Sequence, residues 1–175
     1  MIVLVCAACS CPLTRTVQLS ETLSRPSFDG RVGPDGARRA PATMPHGFYA
    51  VEPEPWDAPL VPIDDPVPVF PEGPCVGDPD GDGFLVSAGP RDTIVLHPDD
   101  APRLLHAQVG EDQDPWQHVG CCGLHGRGGP NRLCPYGTPV GTETSDCSGA
   151  YELHLDPALV RLEHVGSGLP ASGTT

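Results

Sequence analysis

Proline and glycine interrupt this chain so often that long helices are excluded. The sequence holds 23 Pro and 21 Gly in 175 residues. Proline lacks the backbone N–H that a helix interior needs, and glycine loses too much backbone freedom there. From residue 51 to residue 79 prolines recur every few positions, which favours extended backbone. We therefore expect short strands joined by loops, in a chain of ordinary single-domain length.

Local patterns then predict a mainly β fold with irregular loops and one short helix (a small α+β fold). Two β-rich runs flank a Cys-rich turn at the N-terminus, which predicts a zinc-ribbon-like hairpin stapled by metal. A second hairpin is expected around the turn Gly-Pro-Arg-Asp at 89–92. The helix is expected at 98–106, where proline and acidic residues stand at its start. The expected strands are 2–5, 16–19, 84–88, 93–96, 139–142, 151–155 and 160–165.

Composition shifts divide the chain into four expected segments. Residues 1–23 form the N-terminal Cys-rich hairpin, and residues 24–47, rich in Pro, Gly, Ser and Arg, form a flexible linker. Residues 48–165 form a β-rich core that carries a Cys-rich C-terminal motif. Residues 166–175 are a small polar tail that we expect to be disordered.

The charge balance limits the partners of this protein. With 23 acidic and 10 basic residues the net charge is −13, which opposes binding to a phosphate backbone and argues against a nucleic-acid partner. No run approaches the ~20 apolar residues that span a bilayer, and the apolar start lacks the basic region of a signal peptide. We therefore expect a cytoplasmic protein with no membrane partner.

Eight cysteines carry the candidate chemistry. In a reducing compartment such clusters bind metals or react more often than they form disulfides. Cys6 and Cys9 form a Cys-x-x-Cys turn, in which backbone amides wrap the thiolates while both sulfurs share one tetrahedral zinc ion. Cys11 follows closely, and Cys75 stands alone.

One such turn supplies only two ligands, so the remaining ligands must come from elsewhere in the chain. The natural partners are Cys134 together with Cys147, or Cys134 with one of the vicinal pair Cys121 and Cys122. His118 and His125 bracket that pair, so a mixed Cys/His site is also open. The predicted cofactor is structural Zn²⁺, and the candidate ligands are Cys6, Cys9, Cys121, Cys122, Cys134 and Cys147.

The C-terminal third resembles a motif of uncharacterised cysteine-rich proteins from high-GC bacteria. The residues that carry the resemblance are the run Gly-Cys-Cys-Gly-Leu-His-Gly at 120–126, Gly-Pro-Asn at 129–131, Cys134, Val-Gly-Thr at 140–142 and Ser-Asp-Cys at 145–147. In that group a cysteine often stands two residues after the one matching Cys134, and a tryptophan follows the one matching Cys147. This chain has Tyr136 and Ser148 at those positions. The resemblance implies no assigned activity.

The sequence thus predicts a zinc-binding accessory or protein-interaction protein, non-enzymatic, with a protein as the possible partner. The alternative is a thiol-based redox or soft-metal sensor that uses Cys121 and Cys122. An enzyme would use one of these thiols with a histidine base and Asp146, but nothing in the spacing selects that set. The acidic run at 78–83 resembles the start of a calcium loop but lacks its glutamate, and we interpret it as a turn. We expect Trp56 and Trp116 to fill a small core.

Overall fold

A computed structural model describes the chain at residues 1–33, 35–63, 76–77, 83–107, 118–147 and 149–165. Its regular structure within these ranges is mainly β, as the sequence predicts. Cys75, Trp116, residues 78–82 and residues 166–175 lie outside the described residues. The strands are β1 (Ile2–Cys6), β2 (Gln18–Leu19), β3 (Phe48–Glu52), β4 (Leu60–Ile63), β5 (Val76–Gly77), β6 (Phe84–Ser87), β7 (Thr93–Leu96), β8 (Leu105–His106), β9 (Arg132–Leu133), β10 (Pro139–Thr144), β11 (Glu152–Leu155) and β12 (Val160–His164).

The described strands form three sheets. The largest has the order β2-β3-β7-β11-β10-β9-β8, a second has the order β4-β6-β5, and β1 pairs with β12 alone. Neighbours in the large sheet are antiparallel except β2 and β3, which run parallel. The N-terminal strand therefore forms its ladder with a strand from the other end of the described chain.

Alternating side chains give the large sheet one apolar face. Ile94 and Leu96 of β7, with Leu153 and Leu155 of β11, belong to the main core cluster, because residues two apart on a strand point the same way. The β1–β12 pair contributes side chains such as Leu4 to that cluster. The core thus joins the large sheet to the two-stranded sheet.

The opposite face of the large sheet is also covered, and partly polar. Val95 and Ala50 pack there with the buried Met44, which comes from the segment at 24–47. From the same segment, Arg25 reaches Glu152 with Nε 3.0 Å from Oε1. The segment thus supplies buried contacts, while its flexibility and the four-part division of the chain stay predictions.

The expected helix at 98–106 is wrong. The structure has one turn of 3-10 helix at Pro98–Asp100, after which the chain extends to β8. Ala101 leaves helical geometry at φ −114° and ψ 56°, because the residue before a proline, here Pro102, is disfavoured in the α region. In the described part of the chain, no helix has the length and apolar character needed to cross a membrane.

The two expected hairpins differ from the observed pairings. Strands β6 and β7 form as expected but lie in different sheets, since β6 pairs with β4 and β5 while β7 pairs with β3 and β11. At the N-terminus the chain does return beside β1, but only through the isolated bridges Ile2–Val17 and Val5–Pro12. The regular partner of β1 is β12.

Candidate metal centres

The Cys-x-x-Cys turn begins at the last residue of β1. The backbone N–H of Ser10 donates to Cys6 O at 2.8 Å, and the N–H of Cys6 donates to Cys11 O at 2.9 Å. The N–H groups of Ala8 and Cys9 donate to the Cys6 sulfur. This wrapping of one sulfur by backbone amides stabilises a thiolate and holds it for a metal ion.

A second turn of similar design follows β9. There the N–H of Gly137 donates to Cys134 O at 2.9 Å, and the N–H of Cys134 donates to Thr138 O at 2.8 Å. The N–H groups of Tyr136 and Thr138 and the Thr138 hydroxyl hydrogen-bond to the Cys134 sulfur. Burial opposes ionisation of this thiol, yet these hydrogen bonds together lower the pKa of Cys134 to about 7. Gly137 takes φ +85° in this turn, where a side chain would be strained.

The fold brings these two turns together. The sulfurs of Cys6, Cys9 and Cys134 all lie within 4.8 Å of one another. Those of Cys9 and Cys134 are 3.9 Å apart, close to the ~3.8 Å edge that a tetrahedron with Zn–S bonds of ~2.3 Å requires. The Cys11 sulfur lies 3.0 Å from that of Cys9. We call Cys6, Cys9, Cys11 and Cys134 the core-side cluster.

The core-side cluster is closed to solvent on its inner side. Cys6 and Cys134 are both 0% exposed and are members of the main core, and Cys11 packs against that core. Burial raises the pKa of the Cys6 thiol, and hydrogen bonding to Cys11 raises that of Cys9. Metal binding at such a cluster displaces the thiol protons.

A separate group of ligands lies at the C-terminal motif. Cys121 Sγ is 3.0 Å from Cys147 Sγ, 3.4 Å from Cys122 Sγ and 3.8 Å from Asp146 Oδ1. One ligand atom from each of these four residues lies within 4.8 Å of the others. Hydrogen bonding to Cys147 and to Cys122 raises the pKa of Cys121 to about 12. We call Cys121, Cys122, Asp146 and Cys147 the surface cluster, since Cys121 and Cys122 are exposed.

Tight docking of a loop holds the surface cluster together. The N–H of Gly120 donates to Gly123 O at 2.7 Å, which closes the loop around the vicinal cysteines. The buried Asp146 carboxylate accepts the N–H of Cys122 at 2.7 Å. A Cβ on Gly120 would lie 2.6 Å from Asp146 Oδ2, and one on Gly123 would lie 2.5 Å from Ser145 O. Glycine is therefore required at both positions for the loop to approach residues 145–147 so closely.

The structure thus separates the six predicted metal ligands into two groups. Cys6, Cys9 and Cys134 come together in one, and Cys121, Cys122 and Cys147 in the other. The surface group adds Asp146, which the sequence suggested only as an orienting residue in an enzyme; its position directly before Cys147 was the available signal. Among the described residues the surface group contains neither His118 nor His125.

A third possible ligand group was not predicted. It comprises His46, His97 and Asp99, with the two imidazole rings stacked at 3.8 Å between centroids. His97 Nδ1 accepts the Asp99 N–H at 3.1 Å, and His46 Nδ1 lies 3.2 Å from Asp100 Oδ1. Burial and the neighbouring His46 lower the pKa of His97. Both Nδ1 atoms are thus engaged with protein groups, which leaves Nε2 as the nitrogen for other contacts.

A buried polar network on the second face of the large sheet was also missed. His154 Nε2 lies 2.9 Å from Glu152 Oε1, and its Nδ1 lies 2.7 Å from the hydroxyl of Thr93. The order acid, imidazole, hydroxyl matches that of a hydrolase triad. Trp56 stacks on His154 at 3.9 Å. Trp56 is 4% exposed, which confirms its expected buried position, and Thr93 is 1% exposed. The network is therefore buried, beside a cavity of about 110 Å³ that Trp56, Thr93 and His154 line.

Comparison with protein-family models, with curated proteins and with solved structures finds no match to this chain. The resemblance to cysteine-rich bacterial proteins therefore stays a prediction.

Proposed function

We propose that this is a zinc-stapled β protein, non-enzymatic, that acts as an accessory or protein-interaction protein. The observation that carries the proposal is the convergence of Cys6, Cys9 and Cys134 within 4.8 Å. Two turns that each wrap a sulfur in backbone N–H groups meet there, one from each end of the described chain. Such turns are the usual framework of structural zinc sites.

Cys11 is the fourth ligand in this proposal. Its sulfur lies 3.0 Å from that of Cys9, and its side chain packs against the same core. The Cys11 sulfur is not among those that lie within 4.8 Å of one another, and a tetrahedral S–S edge is ~3.8 Å, so the Cys11 side chain has to shift when the metal binds. Four thiolates in a tetrahedral arrangement suit zinc, which prefers sulfur and nitrogen ligands. The same donor set suits iron, and the metal found in the purified protein distinguishes the two ions.

Four protein ligands would give the metal a structural role. Catalytic zinc sites keep one position open for water or substrate, whereas structural sites fill all four positions with protein ligands. Here two of the sulfurs are fully buried in the core.

Tyr136 stands on the Cys134 turn with 77% of its surface exposed, and tyrosine is enriched at protein interfaces because its ring is apolar while its hydroxyl tolerates water. A protein partner that contacts the metal-bound turn fits this arrangement.

The test is the metal content of the protein purified under reducing conditions. We expect about one tightly bound zinc at the core-side cluster, retained in Cys122→Ser and lost in Cys134→Ser. Cys122→Ser is the matched control because it also removes one thiol, but from the surface cluster. Zinc that survives Cys134→Ser in a folded protein would contradict the assignment, and iron in its place would replace zinc as the staple.

A further inference from the structure

We propose that the surface cluster is a second metal site, which binds a soft, thiophilic ion and exchanges it with solvent. It is independent of the zinc proposed above, because it uses different ligands in a different loop. The ligands of this second site are Cys121, Cys122, Asp146 and Cys147.

The ligand geometry supports a single ion. Three sulfurs and one carboxylate oxygen lie within 4.8 Å of one another. Cys121 stands at the centre of the set, with its sulfur 3.0 Å from Cys147 Sγ, 3.4 Å from Cys122 Sγ and 3.8 Å from Asp146 Oδ1. Sulfurs that share one tetrahedral ion lie ~3.8 Å apart, so these donors are within reach of a single ion after small outward shifts of the sulfurs. Thiolates select soft ions such as monovalent copper or divalent cadmium over the hard ions that prefer oxygen.

Hydrogen bonds already hold the ligand residues of the surface cluster together without a bound ion. Asp146 is 5% exposed and is held by the Cys122 N–H at 2.7 Å. The N–H groups of Ser145 and Asp146 both donate to Leu124 O, at 2.8 and 3.0 Å. These bonds fix the loop of the vicinal cysteines against residues 145–147, so little further ordering is needed when the metal binds.

Solvent access distinguishes this site from the core-side cluster. Cys121 and Cys122 are exposed. In the core-side cluster Cys9 is exposed as well, but Cys6 and Cys134 are buried in the core at 0% exposure. An incoming chelator or acceptor thiol can reach the surface ion without opening the core. The net charge of −13 also raises the local concentration of cations. An ion here is therefore exchangeable, as uptake, transfer or sensing of a soft metal requires.

The test uses the full-length reduced protein and Cd²⁺ as the probe. Native mass spectrometry counts bound zinc and cadmium, and the ultraviolet thiolate-to-cadmium charge-transfer band reports sulfur ligation. We expect the wild type to take up one cadmium beyond the metal of the core-side cluster. A mild chelator should remove that ion first, without changing the circular dichroism spectrum.

Variants at the two clusters should separate the sites. Cys121→Ser with Cys147→Ser should abolish binding of the exchangeable cadmium and keep the core-side metal. Cys9→Ser should remove the core-side metal and keep the exchangeable cadmium. If the double variant does not fold, single Cys121→Ser, at an exposed position, gives the same readout. Asp146→Asn should weaken cadmium binding about tenfold or more, since the carboxylate is lost but an acceptor for the Cys122 N–H remains. Asp156→Asn, which removes a carboxylate from outside the cluster, should not.

Either of two results would overturn the proposal. One is a wild type that takes up no exchangeable cadmium, and the other is a Cys121→Ser, Cys147→Ser protein that binds it as before. Failure of the zinc staple would give a different pattern, with no metal at the core-side cluster and surface uptake unchanged.

Discussion

At the scale of single residues, Glu152 shows how a buried charge is held in this protein. Its carboxylate is 0% exposed, with Arg25 at 3.0 Å and His154 at 2.9 Å. Burial opposes ionisation, but the charge and hydrogen bond of His154 and the charge of Arg25 lower the pKa of Glu152 to about 2. Arg25 also pairs with Glu52 at 2.9 Å. One arginine thus forms ion pairs with two buried carboxylates on the second face of the large sheet.

This depressed pKa predicts acid sensitivity. A carboxylate with a lower pKa in the folded state stabilises the fold above its unfolded pKa of ~4.3, and that contribution falls as the pH drops towards 2. We expect Glu152→Gln to lower the free energy of unfolding by roughly 3 kcal/mol at pH 7. The deficit should shrink between pH 4.5 and 2. Urea unfolding across that range measures it.

The matched control is Glu163→Gln, because Glu163 forms an exposed pair with Arg161 at 3.9 Å. Such pairs contribute little to stability, so the control should stay within about 0.5 kcal/mol of wild type at every pH. A deficit for Glu152→Gln that does not change with pH would show that Glu152 acts through packing and not through its charge.

At the scale of elements, Gly141 sets how closely β10 approaches β11. The pairing of β10 with β9 shifts register between Pro139 and Gly141, and Gly141 lies opposite Leu155 of β11. A Cβ on Gly141 would overlap the backbone oxygen of His154 and lie 2.8 Å from Leu155 Cδ2. The first contact is with backbone, so the strands themselves would have to move apart.

We therefore expect Gly141→Ala to destabilise the protein by about 2 kcal/mol or more. Gly149→Ala is the control, because a Cβ there meets nothing within 4 Å, and it should be neutral or slightly stabilising. Thermal unfolding of the two variants beside the wild type gives the comparison. Equal stability of all three proteins would contradict the close approach of β10 and β11.

The strands also show how far sequence reasoning reaches. Strands β10, β11 and β12 were predicted near their observed bounds, because β-branched and alternating residues act locally. The pairing of β1 with β12 depends on contacts between the two ends of the described chain, which no local pattern records. The turn at Gly89–Asp92 resembled a hairpin, but the chain there crosses from one sheet to another. The helix expected after Pro98 ends after one turn because Pro102 disfavours helical backbone at Ala101.

The candidate ligands also divide into those that local spacing predicts and those that depend on how distant parts of the chain meet. The turn from Cys6 to Cys9 is local, so its spacing alone indicated a metal knuckle. Which distant cysteine meets it depends on topology, and the sequence left Cys134, Cys147 and the vicinal pair open as partners. The structure places Cys134 beside this turn because Cys134 directly follows β9, whose sheet packs on β1 through the core. No spacing rule could have separated the ligands of the surface cluster from those of the core-side cluster.

At the scale of the whole molecule, the core-side cluster links two sheets. Cys6 ends β1 of the two-stranded sheet, and Cys134 follows β9 of the seven-stranded sheet. A metal ion bound there, as proposed, would close a loop of more than 100 residues, and restricting a loop of that length disfavours the unfolded chain by ~5 kcal/mol in the entropy model for cross-links. Aromatic residues make up only 5% of the chain. The core therefore has few large apolar side chains that could replace this stabilisation if the metal were removed.

Thermal unfolding before and after chelation, under reducing conditions, tests whether a metal ion at the core-side cluster stabilises this fold. We expect strong chelation to lower the melting temperature by roughly 10 °C or more, because a loss of ~5 kcal/mol has that effect in a domain of this size. Added zinc should restore it. A melting temperature that is unchanged when all metal has been removed would show that no metal ion stabilises this fold.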